Sequence, residues 1–396
     1  MKKRVCIIRH YYFPTDPRER KMANALADAG YEVDVICLRK KGERFVEPYR
    51  TGKIFRLPLG HRRQTIARYL FEYGMSLKLF SLVLLFLFFF RKYRLIQVAT
   101  MPDFLVFAAW LPKLFGAKVL LDLHEPTPEL WITKYGNKYP FFYRLQLKME
   151  QKAIRFADYC LTVTETLKQR FQERGAPSSK ILVVPNVCEE GVFVPQPERG
   201  KDKQGEFIFI THGLIEERYG HELVVRAICR LKEELPMIVY RIVGDGEYRP
   251  QLEKLVRKMG CEKVVQFTGF LSFEDLLVEL HRADVGVIPM QRSPYSELVD
   301  TNKMYEYIAI QKPVIASRLP AVAANFPDDA LLYFEPGNVE ELIERMRQIY
   351  RDAKMRRSLP RQAGQIFEKL RWQKSRRSYL NLVEKMIGTS GGNERT

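Results

Sequence analysis

The sequence predicts an α/β protein made of two doubly wound parallel-sheet domains. Short apolar runs rich in Val, Ile and Leu alternate with stretches of helical spacing through both halves, the pattern of parallel strands joined by covering helices. At 396 residues the chain is long for one core and comfortable for two of near-equal size. Between the halves, 187–206 is rich in Pro, Gly, Glu and Lys without periodicity. It reads as a hinge between Rossmann-like domains at 1–186 and 207–370, with 371–396 as a last helix and tail.

The first domain opens as a βαβ unit: strand Arg4–Ile8, helix Arg18–Ala29 ended by Gly30, strand Glu32–Leu38. Open sheets of this kind bind ligands at the carboxyl ends of their strands, where the loop His10-Tyr11-Tyr12-Phe13-Pro14 sits. Within 61–94, Leu79–Phe90 is apolar except for Ser81, and Lys78 and Arg91-Lys92 bracket it. About 20 residues are needed to cross a bilayer, so this run is expected to stop short of spanning. Two readings stand: a crossover helix buried on the sheet, or a helix lying in a membrane interface with Arg62, Arg63, Arg68, Arg91, Lys92 and Arg94 meeting anionic headgroups. Leu95–Ala99 is a buried strand, Phe104–Phe115 a helix closed by Gly116, and Lys118–Asp122 a strand delivering Leu123-His124-Glu125 to the carboxyl edge. His124 is a candidate for chemistry there, oriented or polarised by Glu125 and Glu129, although a lone His more often satisfies a local hydrogen bond. A helix at 142–157, a strand at 159–163, a helix from Thr164 and a strand at 181–184 complete the domain at Val184-Pro185-Asn186.

The second domain begins with strand Phe207–Thr211 and the turn His212-Gly213-Leu214-Ile215-Glu216-Glu217-Arg218-Tyr219-Gly220. Strand Met237–Val243 runs into Gly244-Asp245-Gly246, whose glycines let backbone approach a ligand or simply make a tight turn. Strand Val264–Thr268 leads to Gly269-Phe270-Leu271, and the run Ala283-Asp284-Val285-Gly286-Val287-Ile288-Pro289 supplies the strand leading to Thr301-Asn302-Lys303. There Met304, Tyr307 and Ile308 share the core face of a short helix, while Asn302, Lys303 and Glu306 share its polar side. Asp300 or Thr301 caps the helix start, whose free N–H groups attract phosphate oxygens; Lys303 adds a cation and Glu306 a carboxylate. A solvated Lys-Glu pair on an ordinary amphipathic helix accounts for the same spacing. Pro313 stops the helix before strand Val314–Ala316. From Arg371, helical spacing through Trp372, Tyr379 and Leu382 suits a segment crossing back onto the first domain.

The net charge is +18, and 1–190 carry 33 Lys and Arg against 18 Asp and Glu, so the positive field belongs to the first half. Basic residues flanking an aliphatic run, with no recognisable nucleic-acid module, point away from nucleic acid. Six cysteines without a C-x-x-C pair suit a reducing cytosol better than disulfides or zinc, and MKKRVCIIRH enters a strand with no secretory pattern before it.

The run K-x-x-E-Y-x-A-x-x-K-P-V-I-A-S from Lys303, the stretch from Met101 to Leu130 and the V-P-N element resemble family 4 of the retaining glycosyltransferases over essentially the whole chain. The resemblance implies the GT-B fold, two Rossmann-like domains facing across a cleft. It implies transfer from a nucleotide-sugar donor, UDP- or GDP-linked, to a saccharide acceptor, with retained configuration and neither metal nor cofactor. Glu306 would hold the ribose, with Thr301, Asn302, Gly213, Gly244 and Gly246 around the donor and Gly269, Phe270 and Leu271 around its base. His124 would face the acceptor or the transferred sugar. Leu214 and Tyr219 stand where the family carries an Arg and a Lys on the diphosphate, leaving Arg218 and Lys303 to supply countercharge, and Leu298 stands where a Glu is usual. With the basic, apolar segment in the acceptor half, the expectation is a lipid-linked acceptor in polysaccharide or glycolipid synthesis, at the cytoplasmic face of the cell membrane. A sugar-nucleotide epimerase of the same fold and a membrane-bound scaffold with a decayed site are the rivals.

Overall fold

A computed structural model describes residues 3–59, 66–189, 191–196 and 205–388. It divides into two compact units, Met1–Asn186 with Gln373–Thr396, and Val187–Trp372.

In the first unit eight strands form one sheet: β1 (Arg4–Tyr12), β2 (Glu32–Leu38), β3 (Val46–Tyr49), β4 (Gly52–Leu57), β5 (Leu95–Ala99), β6 (Lys118–Leu123), β7 (Tyr159–Thr162) and β8 (Ile181–Val183). Their order is β3-β4-β2-β1-β5-β6-β7-β8, parallel except for the β3–β4 hairpin. β5 is buried at all five positions and β1 at most of its length, which is why both read as continuous apolar runs. β1 runs four residues past the expected Ile8, because after a register shift Tyr12 pairs with Leu38. The hairpin was not expected: β3 is exposed or half-buried throughout and carries Pro48, so it shows no apolar alternation.

The expected helix Leu79–Phe90 is part of a longer one, Ile66–Arg91, of 26 residues. Its buried stripe is Tyr73, Ser76, Phe80, Leu84 and Leu87, one face of a helix. The expected helix Phe104–Phe115 is instead a 3-10 helix, Asp103–Ala109, followed by one turn of α-helix, Trp110–Leu114. Pro112 has no N–H to return to Ala108, which removes one bond of the α-helical ladder where the 3-10 segment gives way. The final helix, Trp372–Gly388, belongs to the first unit, where buried Tyr379 donates its hydroxyl to Gln97 Oε1 at 2.6 Å.

The second unit is a six-stranded all-parallel sheet: β9 (Phe207–His212), β10 (Ile238–Val243), β11 (Val265–Gly269), β12 (Val285–Ile288), β13 (Val314–Ser317) and β14 (Leu332–Phe334), ordered β11-β10-β9-β12-β13-β14. The segment expected as a free hinge does not stand alone where it is described. Val187 and Cys188 are buried, Cys188 Sγ lies 3.6 Å from the Tyr305 carbonyl oxygen, and Phe193 meets Phe273 edge-on. The cysteines also depart from expectation: Cys229 and Cys261 are joined as a disulfide. They close the ends of neighbouring helices, His221–Leu231 and Arg249–Lys258, with Cα atoms 5.7 Å apart, a proximity their 32-residue separation does not reveal.

Gly286 on β12 is where sheet and helix meet most closely. A Cβ there would lie 2.3 Å from Cδ2 of Tyr307, whose ring is wholly buried. Gly286→Ala is therefore expected to destabilise the second unit by about 1–3 kcal/mol through overpacking. Urea unfolding with an unchanged midpoint would refute that contact.

Candidate active site

At the carboxyl end of β9 the chain turns at Gly213, with φ +102°, and at the end of β10 it turns at Gly244, with φ +134°. Both conformations favour glycine. A Cβ on Gly244 would stand 2.0 Å from the Gly213 carbonyl oxygen, and one on Gly246 2.2 Å from that of Ile215. The second glycine pair thus lets one turn lie on another, the tight-turn alternative the sequence offered. Gly213 has a different role: a Cβ there would meet Lys303 Cε at 2.7 Å, so the missing side chain makes room for the lysine.

Lys303 opens the helix Asn302–Ala309, with Asn302 half-buried on the same first turn. Its ammonium lies 4.2 Å from the centre of the Tyr219 ring. Burial lowers the lysine pKa to about 8, Arg218 adds to the lowering, and Glu306 and Glu216 oppose it. Arg218 lies over Tyr219 and Tyr295, 5.0 and 5.1 Å from their ring centres, and pairs with Glu216 at 2.7 Å. The two candidate cations are therefore gathered around Tyr219, the residue at the family's lysine position.

Glu306 is held by a partner that sequence reasoning missed. His212 places Nε2 2.6 Å from Glu306 Oε2 and Nδ1 2.9 Å from the Tyr307 hydroxyl. A carboxylate only accepts, so Nε2 carries the proton toward Glu306. The sequence signal was slight: a polar residue ending a buried strand one position before Gly213.

Neither expected cap is made. Thr301 makes no side-chain bond to the helix start. Asp300 instead accepts from the Tyr305 hydroxyl and lies 3.5 Å from Asn325 Nδ2; burial raises its pKa to about 6. Phe270 is 88% exposed, Leu271 is half-buried, and the Gly269 carbonyl accepts from Gly244 N–H at 2.9 Å. Leu298 lies in the core.

In the first unit His124 follows β6 and is half-buried. Glu129 does not orient it: that carboxylate pairs with Arg174, which also holds Glu150 at 2.9 Å. Glu125 is half-buried within electrostatic reach of Arg9. The group nearest His124 is Asp122, whose Oδ2 lies 3.8 Å from Nδ1. Asp122 is gripped by Arg18, Nε to Oδ2 and Nη2 to Oδ1, both at 2.8 Å, and Arg18 Nη1 donates to the Val184 carbonyl at 2.9 Å. Arg9 bonds Asp16 at 3.0 Å and stands 3.7 Å from Glu19. Burial, with Arg9 and Arg18 beside it, pushes the His124 pKa down to about 3 against the pull of Asp122 and Asp16, so the imidazole is neutral. Burial pushes the Glu19 carboxyl well up. Burial acts the same way on Asp16, but its hydrogen bond with Glu19 and the charge of Arg9 prevail and keep it low. Glu19, Asp122 and His124 each bring one ligand atom within 4.8 Å of the others. Within this group Arg18 bonds both oxygens of Asp122, and Arg9 stands 3.7 Å from Glu19.

Beyond this cluster, helix Ile66–Arg91 turns a second face outward. Leu82, Phe86, Phe89 and Phe90 are more than half exposed, as are Trp110, Leu114 and Phe115, and Phe89 meets Phe115 at 6.0 Å between ring centres. Glu72–Arg91, 20 residues, is long and apolar enough to cross a membrane by length and composition, which corrects the expectation that it is too short. Arg91 does not face outward freely: it pairs with Glu32 and Asp34 at 2.9 and 3.0 Å. Lys92 and Arg94 are exposed, whereas Arg62 and Arg63 and the side chain of Arg68 lie outside the described residues.

The structure matches a sucrose-phosphate synthase from Thermosynechococcus elongatus with a TM-score of 0.81 at 20% identity, over 98% of this chain and 100% of that one. It matches Anabaena HepE, solved in complex with UDP-glucose, with a TM-score of 0.71 at 13% identity, over 96% and 99%. The chain thus has the GT-B fold, two parallel-sheet α/β domains. Residues 17–187 match the model of the glycosyl transferase 4-like domain and 195–365 that of the glycosyl transferases group 1. A sulfoquinovosyl transferase of Arabidopsis thaliana is 24% identical over 291 residues, 69% of this chain and 53% of that protein. The chain spans 30–53% of the length of the curated relatives it matches. It belongs to the GT4-type glycosyltransferases.

The lysine gives the site a pH signature. Protonated below about 8 and neutral above, Lys303 should hold a diphosphate less well as pH rises. UDP affinity, measured by calorimetry from about pH 7 to about pH 9, is expected to fall roughly tenfold, the effect of one charge-assisted contact. Lys303→Arg should keep the profile flat; an equal fall in that variant would discard Lys303 as the cause.

Proposed function

We propose that the protein is a retaining glycosyltransferase that moves a sugar from a nucleotide-sugar donor, held by the second unit, to a saccharide acceptor, held by the first. The observation that carries this reading is the grouping of Glu306, aligned by His212, with Lys303 and Arg218 around the Gly213 turn. A carboxylate suits two ribose hydroxyls, and two cations with an uncapped helix start suit a diphosphate. Anabaena HepE, of the same fold, was solved with UDP-glucose, which supports a UDP-sugar, with GDP-sugars as the alternative donors.

In the reaction the bond between the anomeric carbon and the diphosphate oxygen breaks, its electrons leaving with the diphosphate. The acceptor hydroxyl attacks from the same face and gives its proton to a donor phosphate oxygen. Arg218, Lys303 and the N–H groups of the helix start stabilise the departing charge, and no metal ion is invoked. Neutral His124 serves as a hydrogen-bonding group toward acceptor or transferred sugar. The acceptor is lipid-linked, in polysaccharide or glycolipid synthesis, and the protein sits peripherally at the cytoplasmic face of the cell membrane. Support comes from the outward face of Phe86, Phe89, Phe90, Trp110, Leu114 and Phe115 beside exposed Lys92 and Arg94.

Two measurements test the reading. In a thermal-shift and calorimetric screen of UDP-, GDP-, ADP- and dTDP-sugars, one donor should stabilise the protein saturably. Glu306→Ala should then lose roughly ten- to a hundredfold in affinity, the worth of hydrogen bonds to a charged group. Binding to none of the four would leave a non-catalytic scaffold. In flotation with vesicles containing anionic lipid, the wild type should float, and Phe86→Ser/Phe89→Ser/Phe90→Ser should bind at least tenfold more weakly, since burying one Phe contributes roughly 1.5–3 kcal/mol. Equal flotation of the two proteins would remove this face from the membrane reading.

A further inference from the structure

Arg18 has no part in the donor site, yet it makes the most complete set of buried charged contacts described in the first unit. It is 3% exposed, both oxygens of Asp122 accept from it, and its remaining Nη reaches Val184, two residues before the chain leaves this unit at Asn186. Asp122 in turn lies two residues before His124, and its Oδ2 stops at 3.8 Å from Nδ1, beyond hydrogen-bond distance. Nδ1 is buried and makes no hydrogen bond. A carboxylate at the end of the same strand would ordinarily close on such an imidazole, fix its tautomer and raise its basicity. Here the carboxylate is already spoken for.

We propose that Arg18 is a positioning residue which, by occupying both oxygens of Asp122, keeps that carboxylate from closing on His124, so that His124 meets its partner as a neutral hydrogen-bonding group and not as a proton carrier. The inference rests on the reading that His124 faces acceptor or sugar. The groups around the imidazole are Arg9 from β1, Asp16 at the cap of helix Pro17–Asp28, Arg18 and Glu19 from that helix, and Asp122 from β6; Glu125 acts electrostatically on Arg9. Of these, Asp122 is the anion nearest to Nδ1, and Arg18 determines where it points. In a retaining transfer whose acceptor proton leaves with the donor phosphate, a basic imidazole beside the acceptor would compete for that proton; burial and Arg9 hold the imidazole neutral, and Arg18 keeps Asp122 from undoing this.

The test is NMR of full-length protein labelled at histidine, with the His124 signal assigned by its loss in His124→Gln. In the wild type, His124 should stay neutral from about pH 8 down to about pH 5. Arg18→Met, which frees Asp122, should raise its titration toward the ordinary histidine value near 6.5, with burial and Arg9 still opposing. Arg18→Lys, able to satisfy only part of the carboxylate, should fall between. Ordinary titration in the wild type, or a His124 signal indifferent to Arg18→Met and Arg18→Lys, would overturn the proposal, and the wild-type spectrum decides even if the buried substitutions prevent folding. The signal reports on the imidazole itself. A His124→Ala enzyme with full transfer activity would instead refute the acceptor role, so the two failures are distinguishable.

Discussion

A carboxylate accepts hydrogen bonds and cannot give them, and in the second unit that asymmetry sets the candidate site around Glu306. Glu306 needs a donor if it is to hold one direction while half-buried, and His212 is that donor. With the Nε2 proton committed to Glu306, Nδ1 is left for the Tyr307 hydroxyl, and the tyrosine ring can lie against β12 only because Gly286 has no side chain. Strand end, helix and adjacent strand are thus fixed by one short polar chain. Lys303, one turn earlier on the helix, inherits its position over Gly213 from the same arrangement.

The first unit meets the same constraint with more charge. Arg9, Asp16, Arg18, Glu19 and Asp122 are all largely buried near the carboxyl ends of β1 and β6. Desolvation makes each ionised group costly unless a partner is at hand, and removing one member of such a pair typically costs roughly 3–5 kcal/mol. Arg18 and Asp122 satisfy each other, while Glu19 answers the crowding by a raised pKa. Such groups recur at functional sites because placing them is expensive elsewhere.

How much was legible follows from the range of each interaction. The strand and helix alternation is local, so the doubly wound sheets, the polar face of Asn302, Lys303 and Glu306, and the apolar helix near Leu79–Phe90 could be read directly. His212 could not, because its role exists only through Glu306, 94 positions away. Arg18 sits 104 positions from Asp122, and in sequence it is an ordinary basic residue on a first helical turn. Asp300 was read as a cap on proximity alone; a tyrosine one turn into the helix took its carboxylate instead.

The helix Trp372–Gly388 is far along the chain from the first unit's strands, yet Tyr379 is sealed into that unit against Gln97, 282 positions earlier. The first unit is thus made of two pieces of chain with the whole of the second unit between them. On the ribosome the second unit is complete before the first has its last helix. The emerging 1–186 stretch must therefore wait, with a buried glutamine and its surroundings uncovered, for the full length of the other unit to be made. The order of synthesis is consequently the reverse of the order of completion, and a fragment cut at the boundary near Asn186 would correspond to no stage at which the first unit is whole.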